Sequence, residues 1–209
     1  MRKIMLATIA AVTLPAVANA ASIVNGSFED GTNPGTFTTV TVGQTNITGW
    51  DVLSGSVDYI GSYWQASDGV RSVDLSGNSI GTLGQTVTGL TAGQSYKVTF
   101  DVSRNPDGGT NPRTGVFSAN GQTFNFAYSD ATNTRANMKW QTVSYTFLAT
   151  GSTALISFAS DATGGCCYGP ALDNVRIDAV PEPSSWALML GGFTLLGAAV
   201  RRRPVTAIA

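Results

Sequence analysis

Apolar and polar residues alternate in short runs through the middle of the chain, and a helical spacing of three to four is nearly absent there. Residues 95–102 set Tyr96, Val98, Phe100 and Val102 on one face and Lys97, Thr99 and Asp101 on the other. Phe124, Phe126 and Tyr128 alternate in the same way, as do Val143, Tyr145 and Phe147, and then Ala154, Ile156 and Phe158. The last run turns Val175 and Ile177 inward between Asn174, Arg176 and Asp178, and the Thr- and Val-rich stretch 36–42 reads as a further strand. Asn120-Gly121 predicts a tight hairpin. The stretch 103–113, with Pro-Asp-Gly inside it, predicts a long turn-forming loop, and 129–136 and 161–169 are further polar connections. No internal repeat is visible. The pattern predicts an all-β sandwich. Burial of its inward faces, about 1.5–3 kcal/mol per large side chain, holds it together more than local propensity does.

Both ends break this pattern. Arg2-Lys3, the apolar run 4–17 and the small-x-small triplet Ala18-Asn19-Ala20 predict a secretory signal peptide over 1–20. A second apolar block, 184–200, is at the short limit of a membrane span. Arg201, Arg202 and Arg203 follow it and place that end in the cytoplasm by the positive-inside rule. Val180-Pro181-Glu182-Pro183 separates this block from the sandwich, since two prolines in three residues cannot continue a central strand. The expected organisation is therefore a signal peptide, one β domain over 21–179, and a C-terminal segment 180–209. The domain lies outside the inner membrane, which the C-terminal helix contacts before processing.

Composition narrows the chemistry. Between residues 21 and 180 there are seven Lys and Arg against twelve Asp and Glu, a balance of −5 with no basic run, which argues against a nucleic-acid partner. The chain has no His, so Ser-His-Asp catalysis, Cys-His catalysis and His-ligated metals are excluded. Its two cysteines, Cys166 and Cys167, are adjacent. They read as a vicinal disulfide locking a tight turn, as free thiols, or as partners between chains.

The stretch 49–77 holds two of the four Trp together with two Tyr and four Asp among Gly and Ser. Planar rings among short polar side chains suit a sugar, whose faces stack and whose hydroxyls are taken by carboxylates. Trp50 and Trp140 stand at strand starts and are expected to pack inward, as are Tyr59 and Leu75. Tyr63, Trp64 and Asp68 fall between Gly-Ser and Asp-Gly, which predicts an exposed loop tip and a ligand-binding trio; the alternative is a loop packed over the core. Asp58, Asp68 and Asp74 would suffice for glycoside hydrolysis, but Asp-rich turns are ordinary in β domains, and the expectation is no enzyme. Glu29 follows the expected first strand, and Asp173 opens the last in phase with Val175 and Ile177. An inward carboxylate needs neutralising. If the first and last strands are neighbours, Glu29 and Asp173 converge on a hard cation, Ca²⁺ outside the cell; otherwise they sit at a solvated rim or pair with Arg.

Two resemblances follow from these motifs. The Pro-Glu-Pro triplet, the apolar span and the Arg cluster resemble the PEP-CTERM sorting signal. That signal implies recognition by an exosortase, a membrane-embedded cysteine protease of Gram-negative bacteria that export polysaccharide. Asn25-Gly26-Ser27-Phe28-Glu29, Gly49-Trp50, Ser56-Val57-Asp58-Tyr59-Ile60, Asp68-Gly69 with Ser72-Val73-Asp74-Leu75, and the block from Gly169 to Val175 resemble the choice-of-anchor C family. That family is similar to plant cell-wall proteins with galactose-binding-like domains. The resemblance implies a jelly-roll β-sandwich of carbohydrate-binding type with a structural Ca²⁺ at Glu29 and Asp173. The resulting expectation is a non-catalytic module at the cell surface or in the matrix that binds extracellular polysaccharide. The alternatives are a structural or protein-interaction matrix module without a glycan site and, third, a glycoside hydrolase.

Overall fold

The computed structural model describes residues 20–161, 166–181 and 191–194. Eleven strands form two antiparallel sheets. They are β1 (Phe37–Thr41), β2 (Asp51–Ser54), β3 (Ser56–Ile60), β4 (Ser72–Asp74), β5 (Thr82–Thr88), β6 (Ser95–Arg104), β7 (Arg113–Ala119), β8 (Gln122–Tyr128), β9 (Gln141–Leu148), β10 (Thr153–Ser160) and β11 (Pro170–Ala179). The six-stranded sheet runs β1-β3-β4-β11-β6-β9 and the five-stranded sheet β2-β5-β10-β7-β8. Their facing sides bury one core, in which Phe100 meets Phe158 at 4.9 Å and Phe117 meets Phe158 at 5.2 Å. The molecule is thus an all-β jelly-roll sandwich, and the period-two runs of the sequence are its strands.

Local chemistry explains several joints. Asn120 and Gly121 take φ of +50° and +76°, the primed turn that matches strand twist, and Ala119 pairs with Gln122 across it. Tyr145 stacks on Phe124 at 5.1 Å and donates its hydroxyl to Asn125 O at 2.6 Å, closing the gap between β9 and β8. In β6 burial alternates as far as Phe100, then Asp101, Val102 and Ser103 are all buried. That change of period marks where a second layer covers the outer face of the six-stranded sheet. The layer is the β3–β4 connection, residues 61–71, joined by the β8–β9 connection at Asn133 and Met138.

Three sequence expectations are corrected by this architecture. Glu29 does not follow a strand: residues 23–30 are irregular, and β1 begins at Phe37. The first and last strands are not neighbours, since β3 and β4 stand between β1 and β11. The irregular N-terminal segment reaches β11 instead, where Val175 N donates to Gly26 O at 2.8 Å. Nor is Asp173 in phase with Val175 and Ile177. A bulge between Asp173 and Arg176, with Asn174 at φ +53°, shifts the side-chain period. Leu172 therefore points into the core and Asp173 lies on the outer face, beneath the covering loop.

The expected signal peptide and the expected span 184–200 lie outside the described residues, apart from residue 20 and a helical piece at 191–194. Among the described residues no helix is long and apolar enough to cross a membrane.

Candidate functional site

The C-terminal half of the covering loop is held by two carboxylates. Asp173 Oδ2 accepts the backbone N–H of Ser67 at 2.7 Å and of Asp68 at 3.0 Å, and its Oδ1 accepts Asn174 N at 2.6 Å. Glu29 Oε1 accepts the N–H of Val70 and of Arg71, both at 2.7 Å. Gly69 lies between these anchors at φ +71°, and a Cβ there would stand 2.4 Å from Glu29 Oε1, so only glycine fits. The two carboxylates singled out in the sequence bind the same loop, through separate pairs of amides and not through adjacent strands. Asp68 is exposed on this side of the loop.

These anchors also bear on a bound cation. Asp173 is fully buried, and burial pushes its carboxyl up to about 7 despite three backbone donors. The two described ion pairs, Arg135–Asp107 and Lys139–Asp130, leave Asp173 without a basic partner. Both Asp173 oxygens and Glu29 Oε1 accept backbone N–H groups, which leaves Glu29 Oε2 as the carboxylate oxygen of the pair without a described partner. Among the described residues no group of three or more His, Cys, Asp or Glu side chains is placed to hold a metal ion.

The middle of the loop packs inward. Trp64 is 5% exposed and forms a small second core with Ile60, Met138 and Ala171 on the outer face of the six-stranded sheet. Its indole N–H donates to Ser72 Oγ at 2.8 Å. The expectation of an exposed Trp64 is corrected: the ring is the hydrophobic plug that holds the loop down. Trp140, expected in the main core, packs against the same cluster and donates to Gln65 O at 3.0 Å. Two indoles were assigned by their neighbours in sequence, and the loop decides their burial by folding back.

Tyr63 stands at the edge of the plug, half-buried. Its hydroxyl donates to Asp107 Oδ2 at 2.8 Å and accepts from Arg135 Nη2 at 2.6 Å. The Arg135 guanidinium lies 4.1 Å from the ring centroid and pairs with Asp107 at 2.8 Å. The hydrogen bond to the Asp107 carboxylate holds the Tyr63 hydroxyl above its ordinary pKa. Three separate connections thereby fix one ring.

Beside Tyr63 opens a small recess of about 80 Å³. Phe37 from β1 and Tyr168 contribute half-exposed rings, 44% and 40% exposed, and Asp58 and Asp74 contribute carboxylates from β3 and β4. Asp58 and Asp74 are directly cross-strand. Asp58 Oδ1 accepts the Thr39 hydroxyl at 2.6 Å. Asp74 Oδ1 accepts the N–H of Ser76 and Gly169, both at 2.8 Å, and its Oδ2 accepts Asn105 Nδ2 at 2.9 Å. Burial raises both carboxyls, Asp74 to about 7, with the charge of Asp58 adding to the effect on Asp74. Cys166 and Cys167 are joined by a disulfide, and Cys167, at φ +81°, also lines the recess.

Phe37, Asp107 and Arg135 were not singled out in the sequence. They come from three distant segments and carry no motif. The one available signal was the in-register pairing of Asp58 and Asp74, which needs the strand register to be seen.

Fold and recess together define a class: a two-sheet jelly roll with an aromatic, carboxylate-lined recess on a loop-covered face. The family model described as "Protein of unknown function (DUF642)" matches residues 21–178, and the chain belongs to that family. A PEP-CTERM protein-sorting motif matches residues 179–203, so the chain carries a sorting signal for export and surface placement. A curated relative, Halomucin from Haloquadratum walsbyi (strain DSM 16790 / HBSQ001), is 33% identical over 163 residues, 76% of this chain. The chain spans 2% of that relative's length. Among solved structures it is similar to the CBM22-1 xylan-binding domain from Paenibacillus barcinonensis Xyn10C. That likeness has 18% identity, covers 80% of this chain and 99% of the other, and has a TM-score of 0.49. It is also similar to TmCBM61, solved in complex with beta-1,4-galactotriose, at 13% identity, with 75% and 96% covered and a TM-score of 0.44.

Proposed function

We propose that the chain is a non-catalytic, polysaccharide-binding module of the cell surface or extracellular matrix, and that the recess beside Tyr63 is its sugar site. One observation carries this reading: Phe37 and Tyr168 present half-exposed rings beside buried carboxylates, next to a tyrosine fixed by Asp107 and Arg135. Rings for stacking and oxygens for hydroxyls are the two requirements of a pyranose, and here they share one concavity. Of the expected trio, Tyr63 forms the wall and Trp64 the buried base. Asp68 belongs to the other side of the loop, with its amide on Asp173. In this reading Ca²⁺, held by Glu29 and Asp173, supplies the charge that keeps the loop in place.

The sorting motif supports processing by an exosortase near Pro181, Glu182 and Pro183, with Arg201, Arg202 and Arg203 on the cytoplasmic side of the inner membrane. Apart from Pro181, these residues lie outside the described ones.

A polysaccharide array probed with the full chain tests the sugar site. Binding that Tyr63→Ala reduces about tenfold or more, in a variant that still unfolds cooperatively at a somewhat lower melting temperature, is the expected result. Equal binding by Tyr63→Ala would move the site away from the recess. Silence across the whole array would favour a structural matrix role.

A further inference from the structure

The recess pairs a partly buried carboxylate, Asp58, with aromatic faces, and most of its side-chain donors are already committed. The Trp64 indole N–H is committed to Ser72, the Asn105 amide to Asp74, and the Tyr63 hydroxyl to Asp107. Arg135 is held by Asp107 and Tyr63. The Tyr168 hydroxyl and the second N–H of the Asn105 amide are the lining side-chain donors without a described partner. Against this stand Asp58, whose Oδ2 has no described partner, and the faces of Phe37, Tyr63 and Tyr168; Asp74 is fully buried with both oxygens engaged, and Asp107 already takes Arg135 and Tyr63. Among the described residues no Lys or Arg is ion-paired with Asp58 or Asp74. Arg113, buried under the 105–112 connection, acts on Asp74 only through space.

A neutral sugar hydroxyl donates and accepts, so a site for neutral sugars supplies both kinds of partner. A primary ammonium has three donors and no acceptor, and it is drawn to carboxylates and to aromatic faces alike. We infer that the recess selects an amine-bearing sugar: a hexosamine residue with a free amino group, its ammonium seated between Asp58 and the aromatic rim and its ring against Phe37 or Tyr168. This inference rests on the reading of the recess as a glycan site. The raised carboxyl of Asp58 agrees with it, because a ligand cation supplies the charge that burial leaves missing there.

Titration calorimetry of the full-length protein with three β-1,4-linked tetramers separates the possibilities. The tetramers are of glucosamine, N-acetylglucosamine and glucose, used at about pH 6, where an amine of α-amino type is charged. The glucosamine tetramer is expected to bind at least about tenfold tighter than the other two, and added salt to weaken it. Asp58→Asn and, separately, Phe37→Ala are each expected to lose about tenfold of that affinity. Asp178→Asn, a carboxylate exposed near the end of β11, controls for general attraction of a polyamine to an acidic domain and is expected to change nothing. Equal or tighter binding of the acetylated or glucose tetramer, or an Asp178→Asn loss equal to that of Asp58→Asn, overturns the amine selectivity and leaves the glycan site standing. No binding of any tetramer, together with a silent array, overturns both.

Discussion

Trp64 shows what a single side chain does in this molecule. It is almost fully buried, fills a second core of only a few residues, and spends its N–H on Ser72. Trp64→Ala should therefore cost about 3–5 kcal/mol and lower the melting temperature, read by calorimetry, where a solvent-exposed platform would leave it unchanged. Asp74 is the complementary case, a carboxylate with no exposure. Its carboxyl stands near 7 in the folded chain against 3.8 as the ordinary value. In that window the native state holds a proton that the unfolded state has released. Stability therefore falls as pH rises through it, opposite to the usual acid unfolding. Melting midpoints taken from about pH 4 to about pH 8 in a chelator should decline for the parent and decline less for Asp74→Asn.

At the scale of elements, the connection 61–71 organises the site. Its length lets it fold back over β4, β11 and β6. Its amides are taken by Glu29 and Asp173, its plug is Trp64, and its edge is Tyr63. The β11 bulge makes this possible by turning Asp173 from the core to the loop. Excess Ca²⁺ should raise the melting temperature of the parent, and Glu29→Gln with Asp173→Asn should remove that rise. A parent midpoint indifferent to Ca²⁺ would show that the loop amides alone neutralise the pair.

For the whole molecule, a sandwich with a sorting motif directly after β11 places the recess and the tail on one short chain. The sorting motif begins at residue 179, where the last strand ends, so cleavage near Pro181 would leave the sandwich intact. In the native host, Pro181→Ala with Pro183→Ala should leave an uncleaved, membrane-held form, visible as a slower-migrating band in the membrane fraction. Unchanged processing would refute recognition of the triplet.

Much of this was legible in the sequence. The strands were, because burial on one face forces a period of two, and Asn120-Gly121 was, because few residues tolerate two consecutive positive φ angles. The family blocks and the sorting motif were legible because each is contiguous. Tyr63 was found as a candidate for the same reason. The rest was decided by tertiary structure. Whether Trp64 or Trp140 is buried depends on a loop folding back. The phase of Asp173 depends on one extra residue in a bulge. The recess joins Phe37, Asp58, Asp107 and Tyr168 from segments that meet only after the sheets form. Local spacing determines which face a strand residue takes, but proximity between distant segments is set by register and packing, which no single stretch of sequence contains.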